Sequence, residues 1–268
     1  MPIIDDVQRS TEGSEPASAE RLLIKIIRGA ATRAKRHIQR DTWLYGCLKK
    51  VNQSIPQSEL KAVIASFARS RKDVFFVQVG AADGVNNDPI HQYIKKLNWS
   101  GIMVEPVPYL FEQLRQTYAG YENLVLENVA IADREEIRDF WHLKRVEKPH
   151  NLPHWYNQLG SFSRDHILKH ADKIPALEDL LVRQPVKCVT MDSMLARNRV
   201  KRVDLLLVDT EGYDFMILKQ FNFSRFSPRI IVYEHQHLSD ADNKQCDDYL
   251  VQLKYKLIKD GGDTLAFL

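Results

Sequence analysis

Two carboxylates lie two residues apart in the run Asp209-Thr210-Glu211-Gly212, directly after an apolar stretch. A pair of this kind can act as a general base, orient an acceptor hydroxyl group or share a divalent cation. Asp209 could instead serve as the cap of a following helix. We predict that Asp209 and Glu211 are catalytic residues, with Asp209 as a candidate base and Glu211 orienting the acceptor.

A second polar group, Glu234-His235-Gln236-His237, follows the next apolar stretch. A histidine can accept a hydroxyl proton near neutral pH, which makes His235 a second candidate base. A carboxylate and two imidazoles near Asp209 could alternatively hold a metal ion, although neighbouring histidines also occur in ordinary polar loops. We predict a catalytic role for His235 and assign no metal ligands, which leaves a divalent cation as an open alternative.

A third group could bind a cofactor. The run Gly80-Ala81-Ala82-Asp83-Gly84 follows a β-branched and aromatic stretch, and a small glycine-rich turn lets backbone amides approach a ligand. Its spacing differs from the dinucleotide fingerprint G-x-G-x-x-G, and a plain tight turn would have the same composition. Glu105 lies 21 residues after Gly84, where a carboxylate can accept both hydroxyl groups of a ribose. Together these features predict a nucleoside-type cofactor.

Alternating strands and helices would position these groups. Strands are predicted at residues 74–79, 101–104, 124–131, 203–208 and 228–233, with a closing hairpin over 254–268. Three intervening helices are predicted. The first has Asp88 as N-cap and Pro89 as first helical residue, the second includes residues 110–118, and the third covers 214–220. This alternation predicts an α/β fold with a parallel sheet, whose ligands bind at the carboxyl ends of the strands.

Residues 134–202 are less regular. We predict extra strands at 137–143 and 186–190, and a loop around 151–163. The specificity for an acceptor is expected to depend on this region and on the loops at the strand ends.

The charge of the chain is unevenly distributed. The net charge of +3 is the sum of −4 over residues 1–20, +11 over 21–72 and −4 over 73–268. With 44% apolar and 27% charged residues, the composition is that of a globular protein. Three cysteines without a C-x-x-C spacing argue against a disulfide scaffold or a zinc knuckle and favour a reducing compartment. The acidic body argues against a nucleic-acid substrate.

These patterns predict two regions: a tail and basic helical extension over residues 1–72, with helices in 20–50 and 58–70, and a catalytic domain over 73–268. The basic segment 21–50 is interpreted either as a packing cap, which would allow a homodimer, or as a peripheral contact with anionic lipid or a lipid-linked glycan. No apolar run approaches the ~18–20 residues of a membrane span, and Asp5 and Asp6 argue against a signal peptide. We predict a cytoplasmic protein, with attachment to the inner membrane surface as the alternative.

The motifs, taken in order, resemble those of the FkbM family of S-adenosylmethionine-dependent methyltransferases. They are FVQVGAADG (76–84), Asp88-Pro89, VEPVP (104–108), Asn128-Val129-Ala130, VTMD (189–192) and DLLLVDTEG (204–212). The resemblance covers about residues 73–268. It implies a class I, Rossmann-like fold in which a seven-stranded, mostly parallel sheet has helices on both faces and an antiparallel last strand.

The resemblance also implies S-adenosylmethionine as cofactor and methyl transfer to a hydroxyl group of a sugar, a glycan or a secondary metabolite. It places Glu105 at the ribose hydroxyls, Asn128 and Val129 at the adenine, and Asp209 beside the sulfonium. The full set of cofactor-binding residues that it implies is Gly80, Ala81, Asp83, Gly84, Asp88, Glu105, Pro106, Asn128, Val129 and Asp209. The chain departs from the family pattern at Gln78, where many members have an acid, and at Ala82, where Asn is common.

Two other functions remain open from the sequence. The first is an NAD-type oxidoreductase acting on a nucleotide sugar, against which the missing G-x-G-x-x-G argues. The second is a non-catalytic adaptor that keeps the methyltransferase fold and binds a membrane surface through its basic segment.

Overall fold

A computed structural model describes residues 58–147 and 151–268 of the chain. The predicted basic segment 21–50 therefore lies outside the described residues. Residues 63–268 form one compact unit, which contains the sheet described below. Within the part of the chain that the structure describes, no helix combines the length and apolar character needed to cross a bilayer.

The elements follow one another in the predicted alternation. The strands are β1 (Phe75–Val79), β2 (Ser100–Val104), β3 (Leu124–Glu127), β4 (Ala130–Ile131), β5 (Glu136–Leu143), β6 (Gly160–Ser161), β7 (Leu181–Val189), β8 (Leu205–Val208), β9 (Ile230–Glu234), β10 (Lys256–Asp260) and β11 (Asp263–Phe267). The described helices are α1 (Glu59–Ser70), α2 (His91–Leu97), α3 (Pro108–Thr117), α4 (Arg164–Leu168), α5 (Leu177–Leu180), α6 (Met191–Arg197), α7 (Asp214–Gln220) and α8 (Asp240–Gln252), with a 3-10 turn at Tyr156–Gln158.

Seven strands form the main sheet, in the order β10-β11-β9-β8-β1-β2-β3. Strand β11 is antiparallel to both of its neighbours, whereas the remaining adjacent pairs are parallel. This arrangement confirms the predicted α/β, Rossmann-like fold with a mostly parallel seven-stranded sheet and an antiparallel last strand.

The sheet is covered on both faces, as its sequence requires. All four residues of β8 are buried and apolar, which is typical of a central strand in a parallel sheet. On one face Val77 packs in a core with Met194 of α6, Phe215 of α7 and Leu250 of α8. Phe76, whose side chain points to the opposite face, is also fully buried. The opposite face of the sheet is therefore covered as well.

A second sheet of four strands, in the order β4-β7-β5-β6, is formed by the less regular region. The single strand predicted over 124–131 is wrong, because it divides into β3, which pairs with β2, and β4, which pairs with β7. Asn128 lies at the break, where its side-chain amide donates to the carbonyl oxygens of Glu105 and Pro106 at 2.8 and 3.2 Å. The chain thus leaves one sheet and enters the other beside the end of β2.

Two predictions about helices need correction. Helix α2 begins at His91 rather than Pro89, because the Asp88 carboxylate accepts the amides of Ile90 and His91 in a turn that precedes the helix. Helices α4, α5, α6 and α8 were not predicted. In α8 only Cys246 and Leu250 are buried, so its sequence carries too few apolar residues for a helical period to be visible.

Candidate active site

The carboxyl ends of β1, β2 and β8 meet at one edge of the main sheet. Backbone hydrogen bonds continue past the strands: the amides of Gly80 and Ala81 both donate to the Val104 carbonyl at 3.0 Å, and that of Asp209 donates to Val79 at 2.9 Å. Gly80 has φ +82°, and a Cβ atom built on it would lie 1.7 Å from the carbonyl oxygen of Asp209. Only glycine can occupy this crossing point.

A cavity of about 510 Å³ opens at this edge. The structure brings six of the predicted site residues together in its lining: Gly80, Glu105, Pro106, Val129, Asp209 and Glu211. It does not place the other predicted residues there, namely Ala81, Asp83, Gly84, Asp88, Asn128 and His235.

One side of the cavity is an aromatic wall that the sequence analysis did not identify. Phe140 and Phe162 come from residues 134–202, called the inserted region below, and Tyr213 follows the Asp-Thr-Glu-Gly turn. Adjacent rings along this wall have centroids 5.2 Å apart in edge-to-face geometry. These contacts join the second sheet to the carboxyl edge of the main sheet and give the cavity an apolar boundary.

Several predicted cofactor residues shape the loop after β1 instead of lining the cavity. The Asp83 carboxylate accepts the amides of Val85 and Asn86, both at 2.9 Å. A Cβ atom built on Gly84 would lie 2.6 Å from side-chain carbons of Leu114 and Tyr118, so this glycine permits close packing on α3. The roles of Asp83 and Gly84 in cofactor binding stay predictions. Any such role would be indirect, through the shape of the loop.

Glu105 connects that loop to the end of β2. Its two carboxylate oxygens accept the amides of Ala82 and Val107, each at 2.8 Å. Only 4% of the residue is exposed, and burial raises the pKa of its carboxyl group to about 7. Each oxygen keeps a further lone pair, so an ionised Glu105 can still accept hydroxyl donors from a ligand in the cavity.

Three carboxylates, those of Asp209, Glu211 and Glu234, approach within 4.8 Å of one another. Asp209 is accessible from the cavity but otherwise surrounded by protein, so desolvation, together with the charges of Glu211 and Asp214, raises its pKa well above the ordinary value. Burial and the neighbouring Asp209 raise the pKa of Glu234 to about 11. Since like charges at this distance cannot all be ionised, the Asp209–Glu234 pair retains a proton at neutral pH, which the two carboxylates can share.

Asp214 contacts the backbone that carries these carboxylates. It was not identified from the sequence. It is fully buried and accepts hydrogen bonds from the Thr210 hydroxyl at 3.0 Å, the Gly212 amide at 3.2 Å and the Glu234 amide at 3.3 Å. The N-cap of α7 is Tyr213, so Asp209 is not the helix cap that was considered as an alternative. Asp214 thus ties the turn after β8 to the end of β9.

The free energy of unfolding is expected to fall as the pH rises from about 4 to about 7. Burial raises the pKa of Asp214 to about 7, so the folded chain keeps a proton that the unfolded chain releases near pH 4. The variant Asp214→Asn removes this titration and should make the slope shallower by up to about 1.4 kcal/mol per pH unit.

Denaturant unfolding across this pH range measures the slopes. Asp133→Asn is the matched control, because Asp133 is an exposed carboxylate whose pKa is lowered by Arg138 rather than raised. Its slope should equal or slightly exceed that of the wild type. Parallel curves for Asp214→Asn and the wild type would contradict the assignment.

The histidines lie differently from the prediction. His235 Nδ1 is 3.0 Å from the Thr264 hydroxyl, and the residue does not reach the cavity. His237 lies instead at the carboxylates, with Nε2 3.2 Å from Glu211 Oε2, and His166 from the inserted region lies 3.5 Å from the same oxygen. The sequence analysis missed His166 and His170, whose i, i+4 spacing was the only available sign that they could act together.

Comparison with known proteins agrees with this geometry. The family model described as "Methyltransferase FkbM domain" matches residues 78–257, which are 180 of the 268 residues. A search of curated proteins found no match.

Three solved structures of low identity align with parts of this chain. The FkbM methyltransferase of Methylobacillus flagellatus KT is 12% identical, with a TM-score of 0.46 over 74% of this chain and 44% of that one. A fibrillarin pre-rRNA processing protein of Methanococcus jannaschii is 11% identical, with a TM-score of 0.36 over 74% and 67% of the two chains. The precorrin-6y C5,15-methyltransferase of Geobacter metallireducens GS-15 is 12% identical, with a TM-score of 0.38 over 78% and 88%. This chain thus spans less than half the length of the Methylobacillus protein.

The matched residues 78–257 include the glycine loop, the strand-end Glu105 and the Asp-Thr-Glu-Gly turn that meet at the cavity. The chain therefore belongs to the FkbM methyltransferase family.

Proposed function

We propose that the protein is an S-adenosylmethionine-dependent O-methyltransferase whose acceptor is a hydroxyl group of a sugar, a glycan or a secondary metabolite. The observation that supports it most is the convergence of Gly80, Glu105 and Asp209 on one cavity at the carboxyl edge of the sheet. Ligands of open α/β sheets bind at this edge. Family membership favours methyl transfer over the oxidoreductase considered from the sequence.

The residues of the cavity suit this cofactor. Glu105 offers a carboxylate with free lone pairs for the two ribose hydroxyls, and Val129 and Ile131 offer an apolar surface for an adenine ring. Asp209 would lie near the positively charged sulfonium, where a carboxylate is favourable. When bound, S-adenosylmethionine supplies the electrophilic methyl group.

The chain's own groups would then position and deprotonate the acceptor. The acceptor oxygen would form its bond to the methyl carbon as the bond between that carbon and the sulfonium sulfur breaks and the thioether leaves, while the acceptor proton would pass to the Asp209 carboxylate. Glu234 can hold Asp209 in place by sharing a proton with it, and Glu211 can orient the acceptor. The aromatic wall, which includes Phe162 and Tyr213, would limit the access of water to the cavity. This would favour methyl transfer, because that displacement depends on alignment and desolvation of the reacting groups.

Cofactor binding gives the first test. With S-adenosylmethionine or its demethylated product at about 100 times its dissociation constant, the wild-type melting temperature should rise by roughly 5–10 °C. Glu105→Ala should abolish this shift, because it removes the carboxylate proposed to hold the ribose. Differential scanning fluorimetry of the full-length protein measures both.

Glu127→Ala is the matched control. It also removes a strand-end carboxylate, but Glu127 pairs with Arg197 and does not line the cavity. It should keep the wild-type shift. A normal shift in Glu105→Ala would show that the ribose assignment is wrong. A larger shift with NADH than with S-adenosylmethionine or its demethylated product would favour the oxidoreductase. Binding to anionic liposomes without any methyl transfer would favour the adaptor.

A further inference from the structure

A cluster of three histidines and one glutamate lies beside the carboxylates of the active site. His166 and His170 come from the inserted segment around α4, Glu211 from the turn after β8, and His237 from the loop after β9. One side-chain ligand atom of each residue lies within 4.8 Å of those of the other three. Three distant parts of the chain thus bring four potential metal ligands to one point.

The spacing of these atoms matches a metal site. The Nε2 atoms of His166 and His237 lie 3.5 and 3.2 Å from Glu211 Oε2. An ion held tetrahedrally by bonds of about 2.0–2.1 Å keeps its ligand atoms about 3.3 Å apart. The imidazole of His237 stands edge-to-face to those of His166 and His170, with centroids 4.9 and 5.3 Å away, so the three rings surround a common centre instead of stacking.

The polar atoms at this centre are buried and make no hydrogen bonds, although imidazole nitrogens and a carboxylate oxygen face one another there. His166 Nε2, His170 Nε2 and Glu211 Oε2 are inaccessible to solvent, and none makes a hydrogen bond. Both His166 and His170 are only 8% exposed. A buried polar atom without a partner is costly, and several at one point call for a shared ligand. A single cation would satisfy all three.

The local structure supports this placement. The Ser163 hydroxyl accepts the His166 amide at 3.3 Å as N-cap of α4, which fixes the start of the helix. Gly212 lies against the ring of His166, since a Cβ atom built on this glycine would be 3.3 Å from His166 Cε1. The backbone on both sides of the cluster is therefore held in position before any ligand enters.

We propose that His166, His170, Glu211 and His237 bind one divalent transition-metal ion, with Zn²⁺ as the best match. Three imidazoles and one carboxylate suit Zn²⁺, whereas Mg²⁺ prefers oxygen ligands. The ion would join the inserted segment to the turn that carries Asp209, and would hold Glu211 at the edge of the cavity. This metal site differs from the sequence prediction, which assigned no metal ligands. The evidence for it is the geometry of the cluster, which is independent of the proposed reaction.

The test uses the tag-free protein with all 268 residues. After purification and dialysis, elemental mass spectrometry should find about one zinc ion per chain. Removal of the metal with a chelator should lower the melting temperature, and ZnCl₂ alone should restore it, a shift of roughly 8 °C or more at about 1,000 times the dissociation constant. His170→Gln and His237→Gln should each lose the bound zinc and the zinc-dependent shift.

His154→Gln is the matched control, because His154 is an exposed histidine outside the cluster. It should keep both the zinc content and the shift. Wild-type protein that retains no zinc and shows no shift with ZnCl₂ would overturn the proposal, whether or not the variants fold. So would undiminished zinc binding by both cluster variants, or a shift with MgCl₂ and none with ZnCl₂, which would instead favour the three carboxylates.

Discussion

Replacing Gly80 with alanine is expected to lower the free energy of unfolding by about 4 kcal/mol or more. Two costs combine at this residue. The φ of +82° is unfavourable for any side chain, and the new methyl group would lie 1.7 Å from the Asp209 carbonyl oxygen. Because that oxygen belongs to the backbone at the end of β8, relief of the overlap requires the ends of β1 and β8 to move apart.

Gly120→Ala separates these two costs. Gly120 has a nearly equal φ of +84°, but no atom lies within 4 Å of a Cβ built there. It should therefore lose only about 1–2 kcal/mol, the cost of a left-handed conformation for alanine. Denaturant unfolding of both variants measures the difference, and equal losses would show that the contact with Asp209 is not what demands glycine.

The same displacement would affect ligand binding. Gly80 and Asp209 both line the cavity, so strand ends that move apart would separate the groups proposed to hold the cofactor. Any Gly80→Ala protein that remains folded should therefore bind S-adenosylmethionine far more weakly, whereas Gly120→Ala should bind it normally. The stability effect and the binding effect have one physical origin.

The strands of the main sheet were predictable because their residues are buried on both faces. Runs such as Leu205–Val208 are apolar throughout, and each ends at a polar or glycine residue that marks the carboxyl edge. This is why Gly80, Glu105 and Asp209 could be assigned to one site from the sequence: the carboxyl ends of neighbouring parallel strands must lie side by side.

The choice between the two histidines could not be made in this way. His235 and His237 both follow the end of β9. The alternation of side chains between the two faces of a strand does not continue past its end, so it cannot show where either imidazole lies. In the structure the amides of His235 and Gln236 donate to the Gly262 carbonyl, and His235 Nδ1 lies against Thr264. Contacts with the β10–β11 hairpin, far along the chain, therefore decide which imidazole faces the carboxylates.

The inserted region posed the same difficulty on a larger scale. Phe140, Phe162 and His166 lie in segments whose positions depend on the second sheet rather than on the main one. The break at Asn128, which starts that sheet, is a side-chain contact with the backbone after β2. Sequence periodicity records which face of an element is buried, but not such long-range polar contacts.

Asp209→Asn is expected to reduce methyl transfer by roughly 10²–10⁴-fold, the usual effect of removing a general base. The substitution keeps the size of the side chain but removes its basicity. Cofactor binding should weaken much less than the rate, because Glu105 and the apolar walls of the cavity remain. Full-length protein incubated with methyl-labelled S-adenosylmethionine and fractionated cell extract measures the transfer, and the thermal shift measures the binding.

The pH dependence of the reaction distinguishes a base from a residue that only shapes the site. Desolvation and the neighbouring carboxylates raise the pKa of Asp209, so its ionised, proton-accepting form increases as the pH rises, and wild-type transfer should rise with it. The residual transfer by Asp209→Asn should lack this rise, while Asp133→Asn, which alters an exposed carboxylate outside the cavity, should keep both the wild-type rate and its pH profile. If Asp209→Asn lost cofactor binding and transfer to the same extent, with an unchanged pH profile, Asp209 would be a binding residue and the proton would have to pass to another group.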